Sequence, residues 1–519
     1  MFKTVERSLE ELLGRSYTQS LRDCMVRLFG ADKKEMDGLL SEKVDFFPKG
    51  YKEGLDRELD SVGTQVVRAF LSDVGGAPTD SFRKAMHACM SPVGGKGFYR
   101  IGEDGKLYFI AKSEHYHASL GHNFPGYRLV QNAKRAGVMN ATHNNTRGYI
   151  TRLLERELVR IANGIQKEDA AGLEKVLAST QPHVLNRVIN LETGSLAVEA
   201  GLKMMLARFY RLDGSFGPPK YGGRTPVFFV MGDHAGGMSA NYHGTTVLTQ
   251  TMRGLWPELF EKAKQGGLYE TVPVSINDIQ DFKEKMVLYN RGGRKVAGFF
   301  HEIILMNYGA VTLTEDYIQE AYGICRQNDV PVLVDEIQSG IWYKELYLFR
   351  DYGLDPDFVV IGKGFSGGEY PASKILTTSE MDNLNQFGAL VTNGQEELAS
   401  LSYLVTMEFA LGNAEATQAV GDYYSACVQN IADEYPGLID RIEGIGHLLA
   451  IHFRDVENAV GFAQILNDAC VDVSAHGYKS VFLPAVLTKL PLIATPQAVD
   501  FIVKKMREAV EVLNGGGRS

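Results

Sequence analysis

The chain has 519 residues, 45% of them apolar and 23% charged, with a formal net charge of −9. That length exceeds one simple core and predicts a main domain of several hundred residues plus a smaller one. An acidic balance without any basic run argues against a nucleic-acid surface, and no apolar stretch approaches the length of a membrane span.

The first residues, Met1-Phe-Lys-Thr-Val-Glu-Arg7, lack the apolar core of a signal peptide. Residues 1–95 read as helices, for example over 61–71 and 80–90, separated by breaks such as Gly75-Gly-Ala-Pro78. Residues 97–110 predict a hairpin turning at Asp104-Gly105. From about 185, short apolar runs alternate with helical patterns. Strands are predicted over 187–191, 226–231, 299–305, 331–334 and 357–361, with helices near 195–210 and 315–329. The tail 514–519 is expected to be disordered.

Strand–helix alternation of this kind predicts an α/β fold with a mostly parallel sheet covered on both faces. Ligands of such sheets lie beyond the carboxyl ends of the strands. That rule singles out Thr193-Gly-Ser195, Asp335 and Lys363. The five cysteines, Cys24, Cys89, Cys325, Cys427 and Cys470, form no C-x-x-C pair, which points to reduced thiols in a cytoplasm and against structural zinc.

Gly362, Gly364 and Gly367 spell G-x-G-x-x-G after an apolar run, the spacing of a dinucleotide-binding turn. That turn must open a helix. Here Gly368 and Pro371 follow at once, and 374–377 reads as another strand. Asp382, near where such sites place an acidic residue, is a weak match in a chain with 63 acidic residues. Alternatively, Lys363, flanked by glycines at a strand end, offers an unobstructed amine for imine formation with a flat cofactor. Its partner would be a carboxylate facing the cofactor's ring nitrogen. Asp335, closing Val332-Leu-Val-Asp335, can serve, although a turn cap would explain an isolated Asp335 as well.

Two stretches, Val334-Asp-Glu-Ile-Gln-Ser-Gly340 and the run from Phe349 through Lys363 to Pro371, closely resemble the class III pyridoxal-phosphate-dependent aminotransferases. The likeness extends, in the family's order, to Leu120-Gly-His-Asn-Phe-Pro125, Glu192-Thr-Gly-Ser-Leu-Ala-Val-Glu-Ala200, Asn241-Tyr-His-Gly-Thr245 and Val391-Thr-Asn-Gly394. It covers roughly 100 to 505 and implies the fold type I of pyridoxal-phosphate-dependent transferases, with a smaller α+β domain beside the large one. The expected division is a helical extension over 1–95, the first part of the small domain with a linker over 96–160, a cofactor-binding domain over 161–395 and a C-terminal small domain over 396–519.

The resemblance also assigns roles. Lys363 would form the Schiff base with pyridoxal 5′-phosphate and move the proton during catalysis. Asp335 would keep the pyridine nitrogen protonated. Thr193, Gly194 and Ser195 would offer backbone N–H groups and a helix dipole to the phosphate. Tyr242 would stack on the ring, with His243 beside it in the cofactor-binding set, and Gln338 would bond the phenolic oxygen. Glu302 matches the family's acidic residue near the substrate. Thr392 would reach the phosphate of the neighbouring subunit's cofactor, so a homodimer is the expected working unit.

No H-x-x-x-H spacing joins His122 or His243 to carboxylates, so no metal site is expected. A serine hydrolase lacks its G-x-S-x-G elbow. The expected reaction moves an amino group from an amine or amino acid to a keto acid or aldehyde. Departures from the family's pattern fall on substrate recognition. Thr245 and Leu487 stand where the family carries arginines, Leu196 where it carries an acid, and Gly340-Ile-Trp-Tyr-Lys-Glu-Leu-Tyr347 is unusually bulky. A lysine such as Lys489 does not reproduce an arginine fork on a carboxylate. A racemase, aminomutase or decarboxylase on the same scaffold is the alternative. A cofactor-free binding protein is opposed by the Lys363–Asp335 pair, and a nicotinamide oxidoreductase by Pro371.

Overall fold

The computed structural model describes residues 2–70, 74–85, 91–111, 118–140, 146–232, 240–394, 396–475 and 484–516. Its contacts divide the chain into two compact units, one of 1–7, 43–128 and 412–519, the other of 8–42 and 129–411.

The larger unit is built on a seven-stranded sheet. Its strands are β1 (Leu185–Leu191), β2 (Thr225–Met231), β3 (Glu270–Val274), β4 (Arg294–His301), β5 (Val332–Asp335), β6 (Phe358–Ile361) and β7 (Ser373–Thr378). They lie in the order β1-β7-β6-β5-β4-β2-β3, parallel throughout except for β7, which runs against both neighbours. β5 and β6 are buried along their whole length. Their near-uniform apolar runs, Val-Leu-Val and Phe-Val-Val-Ile, are what strands covered on both faces require.

Helices α1 (Tyr149–Ala162), α2 (Gly194–Leu206), α3 (Val247–Met252), α4 (Glu315–Gln327) and α5 (Glu397–Gly412) belong with this sheet. α2 buries Ala197, Val198, Leu202 and Met205, and each large apolar side chain so buried contributes about 1.5–3 kcal/mol. A Cβ on Gly201 would come within 2.5 Å of Leu333 Cδ1, so this glycine lets the helix approach the strand. α1 has no side-chain cap of its own. Its first amides donate instead to Glu397, Ile150 N at 2.8 Å and Thr151 N at 3.2 Å, with the Thr151 hydroxyl adding 2.6 Å. A carboxylate is favoured at this positive end of the helix dipole. The N-terminal helices Leu9–Leu13, Arg15–Phe29 and Lys33–Ser41 also join this unit, where Tyr17 stacks on Tyr149 with 4.7 Å between rings.

The smaller unit holds a four-stranded sheet of Ile439–Ile445, Leu448–Phe453, Ala485–Lys489 and Ser474–Ala475, antiparallel throughout. A second sheet contains the predicted hairpin, Tyr99–Gly102 against Leu107–Ile110, turning at Asp104-Gly105. The helix expected over 61–71 does not form in its described part. After a single 3₁₀ turn, Glu58–Ser61, the chain runs beside the hairpin: Gly63 N donates to Leu107 O at 2.9 Å, Val66 N to Gly105 O at 2.9 Å and Phe70 N to Glu103 O at 2.7 Å. Pairing with the hairpin satisfies those amides and overrides the helical pattern. Asp80–Ala85 is helical, and the rest of the helix expected over 80–90 lies outside the described residues. The last helix, Pro496–Gly516, continues through 514–516, where disorder was expected, while 517–519 lie outside the described residues. Among the described residues no helix is long and apolar enough to cross a membrane.

Candidate active site

Parallel strands bring their carboxyl ends together, and the candidate residues follow those ends. β1 leads to Thr193, β4 to Glu302 and β6 to Lys363, while Asp335 closes β5. The turn 241–245 is tied to the end of β2, where Asn241 N donates to Met231 O at 2.8 Å. Register makes this quantitative. Val334 pairs His301 and Asp335 pairs Val360, so Glu302 and Asp335 are level and Lys363 stands three residues beyond.

Lys363 has φ +39°, between an extended Gly362 and a single 3₁₀ turn, Lys363–Ser366, that Gly367 closes at φ +64°. A left-handed backbone costs a non-glycine residue about 1–2 kcal/mol. Such outliers persist where the surroundings hold them. The third glycine of G-x-G-x-x-G therefore closes a turn instead of packing a helix, and β7 follows antiparallel. A dinucleotide turn is excluded on that geometry.

Asp335 is 5% exposed. Its Oδ1 accepts from Ile337 N at 3.2 Å, the turn-capping role, while Oδ2 lies 3.0 Å from His243 Nδ1. A carboxylate can only accept, so His243 carries a proton on Nδ1, and its buried Nε2 has no hydrogen-bond partner among the described residues. Next to Asp335, Glu336 is fully buried and accepts from the Ser339 hydroxyl at 2.5 Å and Phe349 N at 2.7 Å. Burial pushes this carboxyl up to about 7 against the pull of those donors. Glu336 thereby ties down the bulky segment 340–347, whose backbone is left-handed at Ile341 (φ +81°) and Leu346 (φ +64°).

α2 starts without a side-chain cap, and the Gly194 and Ser195 amides have no hydrogen-bond partner among the described residues. Open N–H groups at a helix N-terminus are an anion site. Gly194 is held against the end of β5: a Cβ there would lie 1.9 Å from Ile337 Cδ1, which also sits 3.4 Å from a Cβ built on Gly362. Ile337 thus joins the phosphate-type cup to the lysine turn. Gly244, at φ +144°, rests on Ser195, and Thr245 N donates to Ser195 Oγ at 3.1 Å. An open amide cup, a carboxylate set by an imidazole and a lysine beside glycines suit a phosphorylated pyridine aldehyde.

Sequence reasoning missed three members of this neighbourhood. Asn241 Nδ2 donates to Glu302 Oε2 at 2.8 Å, both buried. The buried Arg253, after α3, places its guanidinium 4.9 Å from the Tyr242 ring centre. Ile337 is the third, and only its place between Asp335 and Gln338 hinted at it. Gln338 is buried at the end of β5. Thr392 stands apart, exposed and without a hydrogen bond to the other candidates. Leu487 and Lys489 belong to the other unit, where both are buried in the strand Ala485–Lys489.

His122 also lies in that unit. Arg100 Nε donates to its Nε2 at 3.0 Å, and burial, then the Arg100 charge, push the imidazole down to about 4. A Cβ on Gly121 would meet Gly97 backbone at 2.5 Å, so this motif clamps the start of the hairpin. Among the described residues no cluster of His, Cys, Asp or Glu could hold a metal ion.

Residues 86–510 match the family model described as Aminotransferase class-III. The chain is 26% identical over 392 residues to a putrescine aminotransferase of Pectobacterium atrosepticum, covering 73% of this chain and 78% of that one. It is 25% identical over 421 residues to an acetylornithine aminotransferase of Aquifex aeolicus, covering 80% and 96%. An omega-aminotransferase structure from Paracoccus denitrificans shares the fold with a TM-score of 0.66 at 17% identity, over 86% of this chain and 97% of that one.

Proposed function

The chain belongs to the class III aminotransferases, and from that premise we propose that Lys363 is its catalytic amine and that a primary amine is its donor. The enzyme transfers amino groups and its cofactor is pyridoxal phosphate. That cofactor supplies an electron sink for the carbon carrying the transferred nitrogen.

The protein's own share is positioning and proton transfer. Lys363 Nζ would hold the cofactor through its aldehyde carbon and, when released, would be the group that accepts and returns a proton at the donor carbon. Asp335 holds a proton on the ring nitrogen, and the Nδ1–H of His243 keeps its Oδ2 in place. Gly194 and Ser195 bind the phosphate through their amides, with Thr193 beside them. Tyr242 covers the ring, Gln338 bonds the phenolic oxygen, and Glu302, steadied by Asn241, faces the donor. Thr392 reaches the phosphate in a second subunit, which makes the working unit a homodimer. A cytoplasmic setting agrees with the four described cysteines, all outside disulfides.

One observation carries this reading: Asp335, Lys363 and the open start of α2 meet at one end of the sheet through Ile337. Leu487, where the family pattern expects an arginine, supports a donor without a gripped carboxylate, as does a relative named for putrescine, a diamine. Protein loaded with pyridoxal phosphate should be yellow, and borohydride should fix the cofactor covalently. Lys363→Ala should lose that fixation entirely. A variant that still traps cofactor would move the catalytic amine elsewhere. A donor screen should then favour diamines and ω-amino compounds over α-amino acids.

A further inference from the structure

A second lysine sits in the same sheet, unused by the chemistry above. Lys374, on β7, is fully buried, and its Nζ lies 3.4 Å from Gly394 O and 5.6 Å from the ring centre of Tyr403 on α5. Directly across the strand pair is Asn190, whose side-chain amide donates to Glu155 at 2.7 Å. Glu155 is engaged in turn by Arg147. No carboxylate lies within ion-pair distance of Lys374 among the described residues. Burial lowers its amine to about 8, with Glu155 and Glu396 pulling the other way. Burying an ammonium is costly unless its charge is used, and here its hydrogen bond goes to one backbone carbonyl.

That carbonyl ends the turn 391–394. Gly394 is already pressed onto the end of β1, since a Cβ there would lie 2.2 Å from Asn190 O. Three residues on, Glu397 pins the chain to α1. Thr392 and Asn393, both exposed, stand immediately before Gly394. We infer that Lys374 is a positioning residue: its buried ammonium holds Gly394 so that Thr392 is presented, preformed, to the phosphate of a neighbouring subunit's cofactor. This rests on the reading of Thr392 given above.

The test uses full-length, cofactor-loaded protein and the variants Lys374→Met, Thr392→Val and their combination. Losing a charge-assisted hydrogen bond corresponds to about a tenfold effect. Lys374→Met should therefore speed amide exchange across 391–394 about tenfold and weaken cofactor retention by a similar factor, leaving exchange in β6 unchanged. In the Thr392→Val background, Lys374→Met should add less than about twofold to cofactor loss, because both act through one contact. Unchanged exchange across 391–394, or effects on retention that multiply, overturns the inference.

Should Lys374→Met fail to fold, the parent answers instead. Protection across 391–394, corrected for intrinsic base catalysis, should fall as pH rises through the titration of Lys374. The charged groups facing that amine are Glu155, backed by Arg147, and Glu396, beside Glu192. Protection that holds to pH 9.5 overturns the inference. Absence of the borohydride-trapped cofactor in the parent would defeat the reading of Lys363, while the exchange measurements still judge Lys374 separately.

Discussion

Asp335 does two jobs with two oxygens, and only one of them could be foreseen. Its Oδ1 caps the turn at Ile337, as an aspartate at a strand end often does, while Oδ2 meets an imidazole from the end of β2. Asp335→Asn keeps the shape and the turn but loses the charge proposed to hold a proton on the ring nitrogen. The half-reaction with a saturating amine donor should slow at least about 100-fold while the cofactor still binds, as stopped-flow absorbance would show. His122 makes the second residue-scale prediction. Its folded value near 4 lies below the unfolded one, so the fold gains from neutral imidazole at pH 7 and loses that gain as pH falls from about 6.5 to 4. Allowing for partial water access, the loss is about 2 kcal/mol. His122→Asn should unfold in urea with a smaller drop between pH 7 and 4.5 than the parent.

At the scale of elements, the strands and helices around the sheet were legible because burial on both faces demands apolar runs and the connecting helices keep a 3.6 period. The strands predicted from 187 to 361 form, except that 299–305 breaks after His301 and Ile304–Leu305 pairs with Val311–Thr312 outside the sheet, and the hairpin turns where Asp-Gly places it. The region 61–71 was misread because its amides are claimed by a hairpin far along the chain, which local periodicity cannot show. Pairings such as His243–Asp335 and Asn241–Glu302 join residues 92 and 61 positions apart, so the motifs named the participants without their contacts and gave Asn241 no role. The junction of α2 with β5 gives a test at this scale. Gly194→Ala forces a methyl onto Ile337 Cδ1, and overpacking of this kind costs about 1–3 kcal/mol. Cofactor affinity, titrated by absorbance, should fall at least about tenfold, and Ile337→Ala should restore most of it by making room.

For the whole molecule, the cofactor should act as a brace as well as a reagent. A ligand that binds only folded chain at 100 times its dissociation constant adds about 2.7 kcal/mol, and calorimetry should show melting rise with cofactor concentration in the parent. Lys363→Ala, lacking the tether, should show a smaller rise at equal cofactor. Sedimentation of loaded protein should give a dimer of the 57.3 kDa chain, and a monomer that is fully active would remove Thr392 from its role.

The carboxylate that closes α1 has a consequence for how this protein is made. Ile150 and Thr151 receive their acceptor from a side chain encoded 247 and 246 positions later. At about 5–20 residues per second, a ribosome supplies it only some 12–50 s after the helix has emerged. Through that interval the nascent helix carries an unfinished N-terminal end. Synthesis past Glu397, not helix propensity, sets the moment when this end of α1 can be capped.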